Sequence, residues 1–326
     1  MLVQIKKLSF LLLLGSFLIA FGANSVTAQE SQQDYKAKIK KWREDSLRIA
    51  RENAKKKAEA EKLRRENKKR SLYNEARQQY KYRNWKVALK DLNEALAIDS
   101  TYVKAYYLRA LVQKNMRKYN DAIESYRAAI RHNPNYAPAY FGLGKLLTDM
   151  NRFNDAIENY KRAIEADPKS YKAYYEEGRV YIKMNKPKLA LAALKKATEI
   201  NPKYYQAFYL LGDLYLKDGK VKLAIDALEK AIALKPKRAV NYYLLASAYN
   251  QAGNRQKALA AAQKGLTLRS KDFDAPIAWE AAQAAKSLGK LQLAITYFQR
   301  AARDSRYKEG ASFEIKQLKK ELSKSE

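Results

Sequence analysis

Apolar positions along residues 69–308 follow a helical period, and this pattern itself recurs every 34 residues. In each 34-residue unit, positions 4, 8 and 11 fall on one helix face, and positions 20, 24 and 27 fall on the face of a second helix. Most residues at these six positions are apolar, aromatic or small. Four prolines fall 34 residues apart, at position 32 of successive units: Pro134, Pro168, Pro202 and Pro236. Because proline ends the preceding helix, each unit is predicted to be two helices joined by a turn.

Small residues occupy fixed places in this register. Position 20 is alanine in every unit, positions 8 and 27 are always alanine or glycine, and position 24 is bulky in all units but one. Small residues at positions 8 and 20 let the two helices approach closely, and the residue at position 24 fills the space beside them. A single hairpin has too little core, so the units are predicted to stack on one another. The seven predicted units are 69–102, 103–136, 137–170, 171–204, 205–238, 239–272 and 275–308.

This pattern resembles the tetratricopeptide repeat. Two units show it best: Tyr140…Leu143-Gly144…Ala156…Tyr160…Ala163…Pro168, and Phe208…Leu211-Gly212…Tyr215…Ala224…Leu228…Ala231…Pro236. The resemblance covers residues 69–308 and weakens in the last two units. It implies an all-α fold, a right-handed α-solenoid of about seven hairpins. It also implies a non-catalytic protein-interaction scaffold whose first helices line a concave groove for an extended peptide or a partner helix.

The segments that flank the repeats are charged. Residues 29–68 contain no glycine or proline and are predicted to form a long basic helix with a thin apolar stripe that includes Tyr35, Ile39 and Trp42. This helix either is solvated and leads into the first repeat, or docks on a membrane surface or an acidic partner. Residues 309–326 alternate apolar residues and lysines and are predicted to form a C-terminal capping helix with a tail.

The N-terminus predicts export. Lys6 and Lys7 precede an apolar run over residues 8–23, and Val26-Thr27-Ala28 is a small-residue cleavage pattern. Residues 1–28 are therefore predicted to be a Sec-type signal peptide that is cut after Ala28. The apolar run has 16 residues, fewer than the ~20 that usually span a membrane, although an uncleaved N-terminal anchor stays open as the alternative. Both interpretations predict a periplasmic or envelope-associated protein of unknown oligomeric state.

Composition narrows the chemistry. The chain has no cysteine and one histidine, His132, which is expected to end a helix. No phosphate-binding loop or catalytic triad can be assembled, so no enzyme activity, cofactor or metal is predicted. Glu176 and Glu177 form the most conspicuous acidic pair and are expected to be solvated. The net charge of +31 favours acidic partners, and the predicted export argues against nucleic acid.

The resemblance also implies which residues face the groove, namely positions 2, 5, 9, 12 and 13. Position 5 is aromatic in every unit: Tyr73, Tyr107, Phe141, Tyr175, Tyr209, Tyr243 and Trp279. Basic residues stand at position 9 (Arg77, Lys145, Arg179) and at position 2 (Lys104, Lys172). These twelve residues predict a groove that is aromatic throughout and basic in its N-terminal half. We expect it to bind an extended, acidic protein segment near units one to four.

Two other interpretations of these residues stay open. The aromatic rings at position 5 can simply cover the neighbouring hairpin, with the basic residues solvated. Alternatively, the positive charge as a whole can hold the protein on an anionic envelope surface of lipid, lipopolysaccharide or acidic polysaccharide. Charge-driven binding of this kind is expected to fall steeply with salt, whereas groove recognition is expected to depend on the aromatic residues.

Overall fold

The computed structural model describes residues 26–325, and within that range the chain forms fifteen α-helices and no β-strand. Most of the predicted signal peptide lies outside the described residues. The helices are α1 (Val26–Lys81), α2 (Trp85–Ile98), α3 (Val103–Asn115), α4 (Tyr119–His132), α5 (Ala137–Asp149), α6 (Phe153–Ala166), α7 (Tyr171–Lys183), α8 (Pro187–Ile200), α9 (Tyr205–Lys217), α10 (Val221–Leu234), α11 (Ala239–Gln251), α12 (Arg255–Leu266), α13 (Asp274–Ser287), α14 (Leu291–Ala301) and α15 (Ser305–Ser325).

Consecutive helices pair into antiparallel hairpins, and each hairpin packs on the next. Each unit's first helix contacts its own second helix most extensively, and the second helix then contacts the first helix of the following unit. First helices of neighbouring units also touch one another. Three linked hydrophobic clusters run through the stack, as expected when each unit completes its core against its neighbours. The predicted all-α solenoid is confirmed.

The core is built from the small and bulky positions of the repeat. Positions 8, 20, 24 and 27 are buried in all seven units. A Cβ atom on Gly212 would lie 2.5 Å from Cγ of Leu228, and one on Gly178 would lie 2.8 Å from Cγ of Leu194. Both contacts join position 8 to position 24 of the same unit. The bulky residue at position 24 is therefore the reason that these units require glycine at position 8.

The turn inside every hairpin uses one left-handed residue at position 15. Its φ angle is positive in all seven units: Arg83, Arg117, Asn151, Asn185, Gly219, Gly253 and Gly289. Glycine adopts this conformation without strain, and asparagine tolerates it better than most residues. In the first two units this position holds arginine, which has no preference for a positive φ angle. The packing of the helices on either side, and not the local sequence alone, therefore sets the turn in these two units.

The predicted basic helix and the first helix of unit one are one continuous helix, α1. No glycine or proline interrupts it, and ion pairs such as Asp34–Lys38 (2.7 Å) support its exposed part. Side chains from residue 47 to residue 65 are all exposed, so this portion of α1 projects from the solenoid. Lys69 marks the junction, because its Nζ atom contacts both Glu66 (2.6 Å) and Asp99 at the end of α2 (2.8 Å).

The last described helix, α15, continues the repeat register as the first helix of an eighth unit. Counting the unit from residue 309, Ala311 and Leu318 fall at positions 3 and 10, which are also buried in units two to seven. Lys316 and Lys319 stand at positions 8 and 11, which elsewhere face the second helix, and both are exposed. A polar face of this kind is typical of the capping helix that the sequence predicts.

Candidate partner-binding groove

The first helices carry the predicted groove, and the aromatic side chains at position 5 form a row along it. We call the seven residues Tyr73, Tyr107, Phe141, Tyr175, Tyr209, Tyr243 and Trp279 the aromatic row. Every member is half-buried, so each ring has one packed side and one accessible side. The row is thus held in place by the fold and still able to contact a ligand.

A tyrosine at position 34, directly before the next unit's first helix, supports three members of the row. The ring centroids lie 5.2, 5.8 and 5.0 Å apart in the pairs Tyr73–Tyr102, Tyr107–Tyr136 and Tyr175–Tyr204. These supporting tyrosines were not among the predicted groove residues, although their common position in the register was a signal. In these three units, one side of the position-5 ring therefore packs against the start of the neighbouring hairpin.

Position 9 brings a cation to the row in three units. The guanidinium of Arg77 lies 5.9 Å from the centroid of Tyr73, and that of Arg179 lies 5.8 Å from the centroid of Tyr175. Lys145 Nζ lies 5.9 Å from the centroid of Phe141. The i, i+4 spacing on one helix produces this contact, which is the geometry of a cation–π interaction.

The two predicted lysines at position 2 are exposed and do not contact the aromatic row. Lys172 lies near the ring of Tyr171 instead, 5.9 Å from its centroid, and Lys104 makes no such contact. Both lysines lie on first helices, but the structure does not join them to the rings of the aromatic row. They add positive charge at one edge of the groove.

Glu176 and Glu177 are not solvated, contrary to the sequence-based expectation, because both side chains are buried. Position 6, held by Glu176, lies between adjacent first helices. Its Oε2 atom accepts a hydrogen bond from Arg179 (2.7 Å), and its Oε1 atom lies 4.0 Å from Lys145 Nζ. The groove cations of units three and four thus share an internal carboxylate. Burial also raises the pKa of Glu177.

Two groove cations of units one and two, Arg77 and Lys104, lack such a partner, whereas Arg70 at position 2 of unit one pairs with Glu66 at 3.1 Å. Among the described residues, neither Arg77 nor Lys104 forms an ion pair, and both side chains are exposed. In unit five the position-9 residue is Asp213, which pairs with Lys217 at 2.7 Å. Arg77 and Lys104 therefore leave unpaired positive charge at the N-terminal end of the groove, and Lys172 adds an exposed cation in unit four that forms no ion pair with a described residue.

The C-terminal half of the groove is aromatic and longer than predicted. Trp279 packs against Phe298 and Tyr307, with centroid distances of 5.2 and 5.6 Å, and Tyr243 packs against Phe273 at 6.2 Å. Phe313 on α15 falls at position 5 of the eighth unit and is 63% exposed. Continuing the 34-residue register past residue 308 would have identified it as a groove residue.

The part of the chain that the structure describes contains no cluster of three His, Cys, Asp or Glu side chains suited to a metal ion. His132 is the last residue of α4, and its ring stacks on Tyr106 with centroids 5.4 Å apart. Between residues 26 and 325, no helix has both the length and the apolar composition of a membrane span.

Comparison with known families decides the class. Tetratricopeptide repeat models match residues 107–171, 141–183, 175–239 and 239–272, which together span half of the chain. The chain belongs to the tetratricopeptide repeat family. Members of this family are generally non-catalytic and bind protein or peptide partners, so the fold is that of a protein-interaction scaffold. The matches start after unit one and end before unit seven.

Solved structures that resemble this chain include PilF, YrrB and MamA. PilF of Pseudomonas aeruginosa is 19% identical, with a TM-score of 0.56 over 63% of this chain and 93% of that one. YrrB, described as a TPR protein with an unusual peptide-binding site, is 22% identical, with a TM-score of 0.51 over 60% and 97%. MamA is 30% identical over 51% and 91%, with a TM-score of 0.48. No curated protein sequence matches the chain.

Proposed function

We propose that this protein is an exported, non-catalytic adaptor that binds an extended, acidic segment of a partner protein along the groove of its first helices. The observation that carries the proposal is the aromatic row, in which every ring is half-buried and three rings have a cation beside them. Tyrosine rings held by packing offer large contact areas at little entropic cost, and arginine is a frequent anchor of protein interfaces.

Three further observations support this proposal. YrrB, which has the same fold, is described as having a peptide-binding site. The net charge of +31 gives long-range attraction to an acidic segment. Lys6, Lys7, the apolar run over residues 8–23 and the small residues that end at Ala28 support export to the periplasm or envelope.

Affinity capture from an envelope extract tests the groove. The bait is the wild-type chain, beside a Tyr107→Ala/Tyr175→Ala/Arg179→Ala variant, at low and at high salt. We expect a discrete protein that the wild type retains in high salt and the variant loses. A matched control replaces exposed second-helix leucines, Leu189→Ala/Leu223→Ala, and should capture as the wild type does. Equal capture by all three proteins would refute groove recognition.

A second candidate is electrostatic binding to an anionic envelope surface by α1. Residues 29–70 carry 16 basic and 8 acidic groups, and the side chains from 47 to 65 are exposed. Cosedimentation with vesicles that contain phosphatidylglycerol tests it, with phosphatidylcholine vesicles as the control. This function predicts binding that is lost in high salt, is weakened by Lys55→Gln/Lys56→Gln/Lys57→Gln, and is unchanged by substitutions in the aromatic row.

A further inference from the structure

Five tyrosines gather where the first two units meet the third. Tyr73 and Tyr107 belong to the aromatic row, Tyr80 lies one helical turn beyond position 9 of unit one, and Tyr126 and Tyr136 come from unit two. We call them the tyrosine cluster. The Tyr107 ring centroid lies 6.0 Å from that of Tyr126 and 5.8 Å from that of Tyr136. Tyr126 forms the floor, since it is fully buried, and the other four are half-buried.

The cluster has hydroxyl donors and few acceptors. Asn115 Nδ2 donates to the Tyr80 hydroxyl at 3.2 Å, which leaves the Tyr80 proton free. Among described residues, the hydroxyls of Tyr73, Tyr107 and Tyr136 form no hydrogen bond, and the buried Tyr126 hydroxyl has no partner. Burial raises the pKa of Tyr107 and raises that of Tyr136 to about 12, so these phenols stay protonated.

A cation stands beside these donors without a carboxylate. Arg77 leans over Tyr73 and forms no ion pair with a described residue, and Lys104 on the next unit is also unpaired. The corresponding groups of units three and four are already satisfied. There, the hydroxyls of Tyr160 and Thr148 lie 3.2 Å apart, and Glu176 accepts from Arg179.

We propose that the tyrosine cluster and Arg77 form a pocket for the side-chain carboxylate of an aspartate or glutamate in the partner segment. This inference rests on the proposed groove function and names its charged subsite. An ionised carboxylate only accepts hydrogen bonds, so it matches a site that offers phenol and guanidinium donors and lacks an acceptor. The unpaired cations Arg77 and Lys104 lie on successive units. They match a partner segment with several side-chain carboxylates better than one that offers only its C-terminal carboxylate.

Calorimetric titration of the full chain with synthetic decapeptides tests the pocket at about 0.15 M ionic strength. The probe alternates glutamate and alanine and has blocked ends, and its analogue replaces every glutamate with glutamine. We expect the glutamate peptide to bind at least about tenfold more tightly than the glutamine peptide, because a hydrogen-bonded charge is lost in the analogue. A third peptide, the glutamine analogue with a free C-terminal carboxylate, should bind no better than the blocked one.

Matched variants locate the site. Arg77→Gln should weaken the glutamate peptide about tenfold, whereas Arg179→Gln, at the same repeat position, should change it less than about twofold because Arg179 is already paired. Tyr107→Phe keeps the ring and removes the hydroxyl, so it should weaken the glutamate peptide and leave any glutamine-peptide binding unchanged. Circular dichroism during thermal unfolding checks that each variant is folded.

Other outcomes overturn the pocket. If both peptides bind equally and Tyr107→Ala abolishes both, the groove function stands and the carboxylate subsite is wrong. The assignment also fails if the glutamate peptide does not bind, if Arg77→Gln and Arg179→Gln weaken it equally, or if the free C-terminus alone restores tight binding. If the groove captures a partner protein but the chain does not distinguish the glutamate and glutamine peptides, the proposed function stands and the carboxylate pocket is wrong.

Discussion

The groove of units one and two and the groove of units three and four share one backbone arrangement and differ in how their polar groups are satisfied. Arg77 and Arg179 occupy the same repeat position and lean over equivalent rings, at 5.9 and 5.8 Å. Only Arg179 has an internal carboxylate, from Glu176. In a repeat protein, a residue between two first helices therefore decides whether a groove cation is available to a ligand.

The floors of the two regions differ in the same way. Tyr126 and Tyr160 both hold position 24 and both are fully buried. The Tyr160 hydroxyl meets Thr148, whereas the Tyr126 hydroxyl lies against Gly142 without a partner. In units three and four the buried hydroxyl forms a hydrogen bond within the protein, whereas in units one and two the buried hydroxyl has no partner among the described residues. Three sets of substitutions test this difference, beginning with the largest expected effect, and a fourth prediction concerns a half-buried glutamate of unit seven.

Gly142→Ala should lower the free energy of unfolding by about 1–3 kcal/mol, because the added Cβ would lie 2.6 Å from a ring carbon of Tyr126. Urea denaturation measures the change. Gly310→Ala is the control, since its Cβ would lie 3.2 Å from Trp279 and should cost less. An unchanged midpoint for Gly142→Ala would show that the floor of units one and two is loosely packed.

Removing the two position-24 hydroxyls should have effects of opposite sign. Tyr126→Phe removes an unpartnered buried hydroxyl and should raise the free energy of unfolding by about 1 kcal/mol. Tyr160→Phe removes a partner of Thr148 and should lower it by about 1 kcal/mol. Chemical denaturation of both variants checks the signs. Equal destabilisation by the two substitutions would mean that the floors do not differ.

Glu176→Gln should make units three and four resemble units one and two, because it releases Arg179 and Lys145 from a buried carboxylate. The affinity for the glutamate decapeptide should rise two- to fivefold, equivalent to about 0.5–1 kcal/mol. Calorimetry measures it. Glu177→Gln is the matched control, since Glu177 is buried next to Glu176 and forms no ion pair with those cations. Equal gains from both substitutions would contradict the pairing.

Glu280 is a second glutamate at position 6, and its substitution is expected to have the smallest effect on stability. Burial raises its pKa above 4.5, while hydrogen bonds from Asn250 and Ser247 and the charge of Arg255 oppose the shift. The folded state therefore loses stability as pH rises from about 4.5 through the raised pKa. Glu280→Gln should remove that dependence of stability between pH 4 and pH 7. Identical pH profiles for the two proteins would contradict it.

The sequence alone predicts the parts of this molecule that repeat. Positions 8, 20, 24 and 27 could be assigned to the core, because size and spacing recur in every unit and the buried faces depend only on position. The aromatic row also follows from the register. Phe313 could have been found in the same way, but Lys316 at position 8 breaks the small-residue pattern of its unit.

The pairing between units could not be predicted. Lys145 and Glu176 are 31 residues apart, and they meet only because adjacent first helices stack side by side. Glu176 and Glu177 look like surface residues in a single sequence, since glutamate is rarely buried. Their burial depends on the geometry of stacking, as does the contact of each position-34 tyrosine with the aromatic row.

The unbroken α1 helix has a mechanical consequence. A helix rises about 1.5 Å per residue, so the stretch from residue 26 to residue 65 forms a rod on the order of 60 Å long. The same helix continues into unit one and carries Tyr73 and Arg77. Any body attached to the rod is thereby held at a set distance and orientation from the first binding positions, and tilting the rod tilts the unit that bears them.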